Sequence, residues 1–297
     1  NPFATLDGLQ VAELRSLWLA STRVADITAL AAARNLVKLD LSDTPVRDLS
    51  PLAGLPITDL NLSRAVEADL TTLRLPRLQR FVVRMRPLST QDLAPLLPGL
   101  SSLIALQSGL SSWPDVDSPA LVEAQLSGSP LVDLSGLRRA SSLRTLLLRG
   151  CGLSAVDPAL ASLPLERLDL RDNAITDLAP ILARPPPVLM VTGNPLDDQA
   201  CEALIAVGRA LGRPDLVWQG ASVQAHRRQD LVALKRVALP VGRRLVAPFL
   251  APEPHRGKPN SPAWLPLINA KLAEVWGVDP EEAAEVTTAN ARRLDGD

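Results

Sequence analysis

The sequence predicts an α/β repeat protein: a stack of nine similar coils, followed by a helical C-terminal segment. Three observations predict it. The pattern LxxLxL recurs from starts at Leu14, Leu36, Ile57, Leu78, Leu100, Leu121, Leu143, Leu165 and Pro186, spaced by 21 or 22 residues. The composition supplies an aliphatic core, since 46% of the 297 residues are hydrophobic, only 3% are aromatic and Tyr is absent. The leucine pacing then stops after Gly220, where a basic and proline-rich stretch begins.

The clearest copy is LVKLDLSDTPVRDLSPLAGL, residues 36–55. Its fourth and sixth positions lie two apart and share one face of an extended strand. Leu49, Leu52 and Leu55 line the return path. One coil cannot bury these side chains alone, whereas stacked coils form a continuous core. The ninth position reads Thr22, Thr44, Ala65, Arg86, Ser108, Ser129, Cys151, Asn173 and Asn194. Six of these nine are Thr, Ser or Asn, whose side chains can bond backbone groups left free at a bend.

The copies starting at Leu78 and Leu100 are the poorest. Phe81 stands for a leucine, Arg86 occupies the ninth position, and WPDVDSP (113–119) is irregular, so local distortion is expected there. After the ninth copy, GNPLDDQACEALIAVGRALG reads as a capping helix. Ala200, Leu204, Val207 and Leu211 recur at helical spacing, and Gly212 suits the position after its end. The expected domains are therefore 1–220 for the repeats with their cap and 221–297 for the remainder.

These repeats resemble the leucine-rich-repeat family, and the DLSPLAGL return is most similar to the short internalin-type form. The resemblance covers about residues 6–220. It implies a right-handed solenoid with a concave parallel sheet and short turns or 3₁₀ pieces on the convex side.

The third, fifth and seventh positions of each copy alternate with the buried ones and are expected to face solvent. The fifth reads Trp18, Asp40, Asn61, Val82, Ile104, Gln125, Leu147, Asp169 and Met190, and the flanking columns add Lys38, Asp59, Arg80, Arg84, Arg149, Arg167 and Arg171. Nine strands about 4.8 Å apart make a face roughly 40 Å long. Such a face can supply the ~800 Å² per partner of an ordinary interface. Apolar residues fringed by arginine suit a protein partner. The expected protein-binding residues are Trp18, Asp40, Arg80, Val82, Arg84, Ile104, Leu147, Arg149, Arg167, Asp169 and Arg171.

Several function classes are disfavoured. Lys and Arg (31) balance Asp and Glu (32), so no global field points to nucleic acid or a membrane surface. No apolar run approaches the ~18 residues of a spanning helix. No basic-then-apolar leader opens the sequence. The two cysteines, Cys151 and Cys201, fall in different elements and make no disulfide framework. A cytoplasmic protein is the expectation. Residues 1–220 contain no histidine, and no catalytic residue, metal ligand or cofactor is expected there.

Past Gly220 three helices are expected. One has Ser222 as its N-cap, one has Ser261 as N-cap with Pro262 at its first position, and one opens at Asp279. Residues 222–258 carry eight Lys/Arg against two acids, but Phe249 is their only aromatic, so stacking platforms for nucleic acid are lacking.

The run APFLAPEPHRGKPNSPAW (247–264), with RLV before it and EVTTANARRL after it, is similar to the C-terminal end of the TatD family of metal-dependent deoxyribonucleases. The match spans about residues 225–294. The resemblance implies a fragment of a (β/α)₈ barrel of about 250 residues that holds divalent metals through histidines, a glutamate and an aspartate. His255, Arg256, Gly257 and Lys258 match the family's loop. Val246 stands directly before Ala247 and Pro248, where the family has its acidic residues, and His226 and His255 are the only histidines. His255, Arg256 and Lys258 are thus expected to form a relic loop rather than a metal site. The expected function is non-enzymatic protein binding. The alternative is a TatD-related hydrolase that is degenerate or active only with another chain.

Overall fold

The computed structural model describes residues 4–227. The chain divides into two units, Asn1–Asn194 and Pro195–Asp297. The expected helices at Ser261 and Asp279, the relic loop and all but the start of the segment 221–297 lie outside the described residues.

The first unit is a nine-stranded parallel sheet in sequence order. Its strands are β1 (Ser16–Trp18), β2 (Lys38–Asp40), β3 (Asp59–Asn61), β4 (Arg80–Val82) and β5 (Ser102–Ile104), then β6 (Glu123–Gln125), β7 (Thr145–Leu147), β8 (Arg167–Asp169) and β9 (Val188–Met190). Each occupies the third to fifth positions of one repeat, in unbroken register with its neighbours. Every sixth-position residue is buried, as is every fourth-position one except half-buried Leu17 in the edge strand. Their partners across the core are the return leucines, among them Leu49, Leu52 and Leu55. The return paths are 3₁₀ turns such as Ser50–Leu52 and Pro158–Ser162, or single α-turns at α1 (Thr90–Leu93) and α2 (Ala179–Leu182).

Two further columns hold the bends, and neither is obvious in the sequence. The eighth residue of every repeat has positive φ, from 51° at Gln107 to 77° at Gly193. Only three of the nine are glycine; Arg64, Met85 and Gln107 accept the strain that a left-handed conformation imposes on a residue with a Cβ. The second column is aspartate at the thirteenth position. Asp26, Asp48, Asp69, Asp133 and Asp177 each accept a hydrogen bond from the backbone N–H two residues on, at 2.8–2.9 Å, and so start the return turn.

These turns carry a pH prediction. Side-chain and backbone donors of Thr28 and Thr71 hold the Asp26 and Asp69 carboxyls below the usual range, and Ser135 does the same for Asp133. A carboxyl that titrates lower when folded stabilises fully above the unfolded value near pH 4 and loses that contribution as pH falls through the folded value. Denaturation midpoints should therefore drop as pH falls below about 4. In a variant with these three aspartates changed to Asn, that decline should be shallower.

The poor copies keep their strands. Distortion is confined to the return side, where α1 begins with a reciprocal cap between Ser89 and Asp92. In WPDVDSP, the buried Trp113 Nε1 and Ser118 Oγ have no hydrogen-bond partner among the described residues.

In the second unit, α3 (Asp198–Ala210) starts at an Asp197 cap and ends before Gly212, whose φ is 62°. Its buried residues are Ala200, Cys201, Leu204 and Gly208, while Val207 is half-buried and Leu211 exposed, so the apolar stripe is rotated from the one expected. The reason is α4 (Pro214–Arg227), which starts at Pro214 and runs through Gly220. Ser222 is therefore inside a helix rather than capping one. A Cβ at Gly208 would lie 2.8 Å from Val217 N, and one at Gly220 would lie 2.8 Å from Cys201 O. The two glycines let the helix backbones approach closely.

Candidate protein-binding face

The outward side chains of the nine strands form the candidate face. Because each strand pairs in register with the next, fifth-position side chains stand in one row. Trp18 heads the row at 69% exposure. Asp40, Asn61, Val82, Gln125, Leu147 and Met190 are half-buried.

Ile104 and Asp169 correct the expectation: both are buried, at 3% and 4% exposure. Strands about 4.8 Å apart set side chains shoulder to shoulder. Ile104 stands between Val82 and Gln125 in mid-sheet. Asp169 stands between Leu147 and Met190 and is covered by Arg171, whose Nε and terminal nitrogen bond its two oxygens at 2.9 and 2.7 Å. The pair raises the Arg171 pKa, chiefly through these hydrogen bonds.

Carboxylates on the face are engaged by neighbours. Asp40 accepts from Ser42 Oγ at 2.6 Å and from Asn61 Nδ2 at 3.0 Å. Asp59 accepts from Thr58 Oγ1 at 2.7 Å. Glu123 accepts from Ser102 and Gln125. The signal for part of this network is an Asp or Asn followed two residues later by Ser, as in Asp40–Ser42 and Asn61–Ser63, a pairing that reading by columns overlooks.

The cations divide into two groups. Arg149 pairs with Asp172 at 2.5 Å and Arg171 with Asp169. Among the described residues, Lys38, Arg80, Arg84 and Arg167 are exposed and enter no ion pair. Trp18, Lys38, Asp40, Asp59, Arg80 and Arg84 together line a shallow depression over β1–β4.

Cys151 lies behind this face in the ninth-position column. Burial pushes its thiol pKa up, and its Sγ donates to Leu126 O at 3.4 Å. It is a packed thiol, not an activated nucleophile. Among the described residues, no group of three His, Cys, Asp or Glu side chains is placed to hold a metal ion, and no helix is long and apolar enough to cross a membrane.

Comparison with known proteins finds two kinds of match. The family model described as TatD related DNase matches residues 238–295. The chain is 49% identical over 61 residues to the "Uncharacterized metal-dependent hydrolase TatD" of Mycobacterium tuberculosis, covering 20% of this chain and 23% of that protein. It is 48% identical over 59 residues to the Escherichia coli K12 protein "Uncharacterized metal-dependent hydrolase YcfH", covering 19% and 22%. The chain spans about a quarter of the length of these curated relatives. Among solved structures, an internalin (inlF) of Listeria monocytogenes matches 66% of each chain at 20% identity and a TM-score of 0.46. Internalin C2 of the same species matches 64% of this chain and 77% of its own at 22% identity, with a TM-score of 0.45. The chain is thus similar to internalins over about two thirds of its length and to TatD-related hydrolases over a short C-terminal segment.

Proposed function

We propose that this chain is a non-enzymatic interaction protein that binds another protein on the exposed face of its sheet. The observation that carries the reading is Trp18, a large apolar ring 69% exposed at the head of an in-register row that continues through Val82, Leu147 and Met190. An exposed aromatic with arginines around it has the composition of interface centres. The right-handed leucine-rich-repeat solenoid implied by the sequence, with this face on its concave side, belongs to the same proposal, as does a cytoplasmic location.

Capture tests it. Proteins retained by the immobilised chain should be lost when Trp18, Val82 and Leu147 are each changed to Asp. Ile104 is unsuitable as a probe because its burial would confuse lost binding with lost stability. Retention of the same proteins by the triple variant, at unchanged melting temperature, would remove the face from the account.

The match at 238–295 favours a second reading, a TatD-related hydrolase that is degenerate or completed by another chain. The residues present do not fit its metal: the chain has two histidines, and Val246 stands where the family's aspartate would be. Chelator-sensitive cleavage of DNA by the full chain, lost in His255→Ala, would establish this reading in place of the first.

A further inference from the structure

Within the exposed sheet face, the polar groups are unevenly committed. Over β1–β4, Asp40 and Asp59 already accept hydrogen bonds from Ser42, Asn61 and Thr58. The cations beside them, Lys38, Arg80 and Arg84, enter no ion pair among the described residues. Over β7–β8 the balance differs, because Arg149 and Arg171 are held by Asp172 and Asp169, which leaves Arg167 as the one unpaired face cation there among the described residues. The depression bounded by Trp18, Lys38, Arg80 and Arg84 therefore offers free donors next to an exposed aromatic ring.

We propose that this depression receives an extended acidic segment of a partner protein. Its carboxylates meet Lys38, Arg80 and Arg84, and an apolar side chain lies on Trp18. Register supports the fit. Lys38 and Arg80 occupy the third position of β2 and β4, and Arg84 lies four residues past Arg80. The three cations thus border both sides of the fifth-position row that starts at Trp18. Guanidinium groups take carboxylates in bidentate geometry, while Trp18 adds apolar area at small entropic cost. The proposal rests on the sheet face being the binding surface and adds the chemistry of what binds there.

The test uses the full chain and fluorescein-labelled peptides of one length in which leucine alternates with glutamate, glutamine or lysine. A single-stranded DNA of similar length is a fourth probe. The glutamate peptide should bind, with affinity that falls as salt is raised. The glutamine and lysine peptides should bind at least tenfold more weakly. Changing Lys38, Arg80 and Arg84 together to Gln should weaken the glutamate peptide about tenfold, as expected for three exposed charge pairs, and flatten the salt dependence. Changing Arg23, Arg34 and Arg77 to Gln removes the same charge away from the sheet face and should change nothing. Equal binding of the glutamate and glutamine peptides, no effect of the first triple change, or tighter binding of DNA through the same three residues would each overturn the proposal. If a captured partner depends on Val82 and Leu147 but not on these cations, the proposal fails while the face reading stands. If neither set matters, both fail.

Discussion

Arg86→Ala should lower the unfolding free energy by about 3–5 kcal/mol. Arg86 is 5% exposed and fills the ninth position, where six of the other eight repeats place Asn, Ser or Thr. Its Nε donates to Ala65 O at 2.9 Å and one terminal nitrogen to Pro87 O at 2.9 Å, while the other bonds Ala68 O. One guanidinium thus serves acceptors in two repeats. Burial pushes its pKa down, and Asp92 and Asp69 oppose this, yet the group remains charged at any working pH. Truncation leaves the buried Ala68 carbonyl without its donor, takes one of two donors from Ala65 O, and removes the aliphatic stem that packs there. Arg86→Lys should recover part of the loss, since an ammonium reaches fewer of the three acceptors. Denaturant unfolding measures both; a loss under about 1 kcal/mol for the alanine variant would mean that water replaces these bonds.

Asn173→Ala should follow, with a loss of about 2–4 kcal/mol. Its Nδ2 donates to Leu148 O and Leu170 O at 2.8 Å, and its Oδ1 accepts from Cys151 N at 2.9 Å and Leu153 N at 3.1 Å. No other side chain type of this size offers two donors and two acceptor sites at once. Asn173→Asp separates the two halves of that role. It keeps the acceptor side but sets a buried carboxylate against two carbonyls, so its folded pKa should rise above the unfolded value. The penalty should be present at neutral pH and shrink as pH falls through the raised folded value. A variant whose instability did not vary with pH would contradict this account of the site.

Much of the repeat architecture was legible before any coordinates, because burial in a stack recurs with the same period as the chain. The LxxLxL starts put every strand at its observed place, and the ninth-position column is buried, with Thr44, Asn173 and Asn194 bonded to backbone carbonyls as their residue types suggested. Other features were hidden for physical reasons. The eighth-position bend takes positive φ whatever its residue, so Arg64, Met85 and Gln107 carry no glycine signature. Ile104 and Asp169 sit in a column that alternation makes outward, yet both are buried, Ile104 between its neighbours in the parallel sheet and Asp169 under Arg171. The glycine where the leucine pacing stops does not end a helix. That glycine sits within α4 because α3 passes close by, not because a helix ends there. The bond from Asn61 to Asp40 depends on cross-strand geometry that columns of letters do not express, whereas those from Ser42 and Thr58 are local in the chain.

The claim that the sheet face binds a protein partner is tested most directly by site-specific photo-crosslinking. A photoreactive phenylalanine placed at Trp18, Val82 or Leu147 of the full chain should join covalently to the captured partner. The same group at Val132, which is 86% exposed but lies on a return path, should not. Crosslinks from the three face positions alone are the predicted result. Crosslinks from Val132 with none from the face would contradict it.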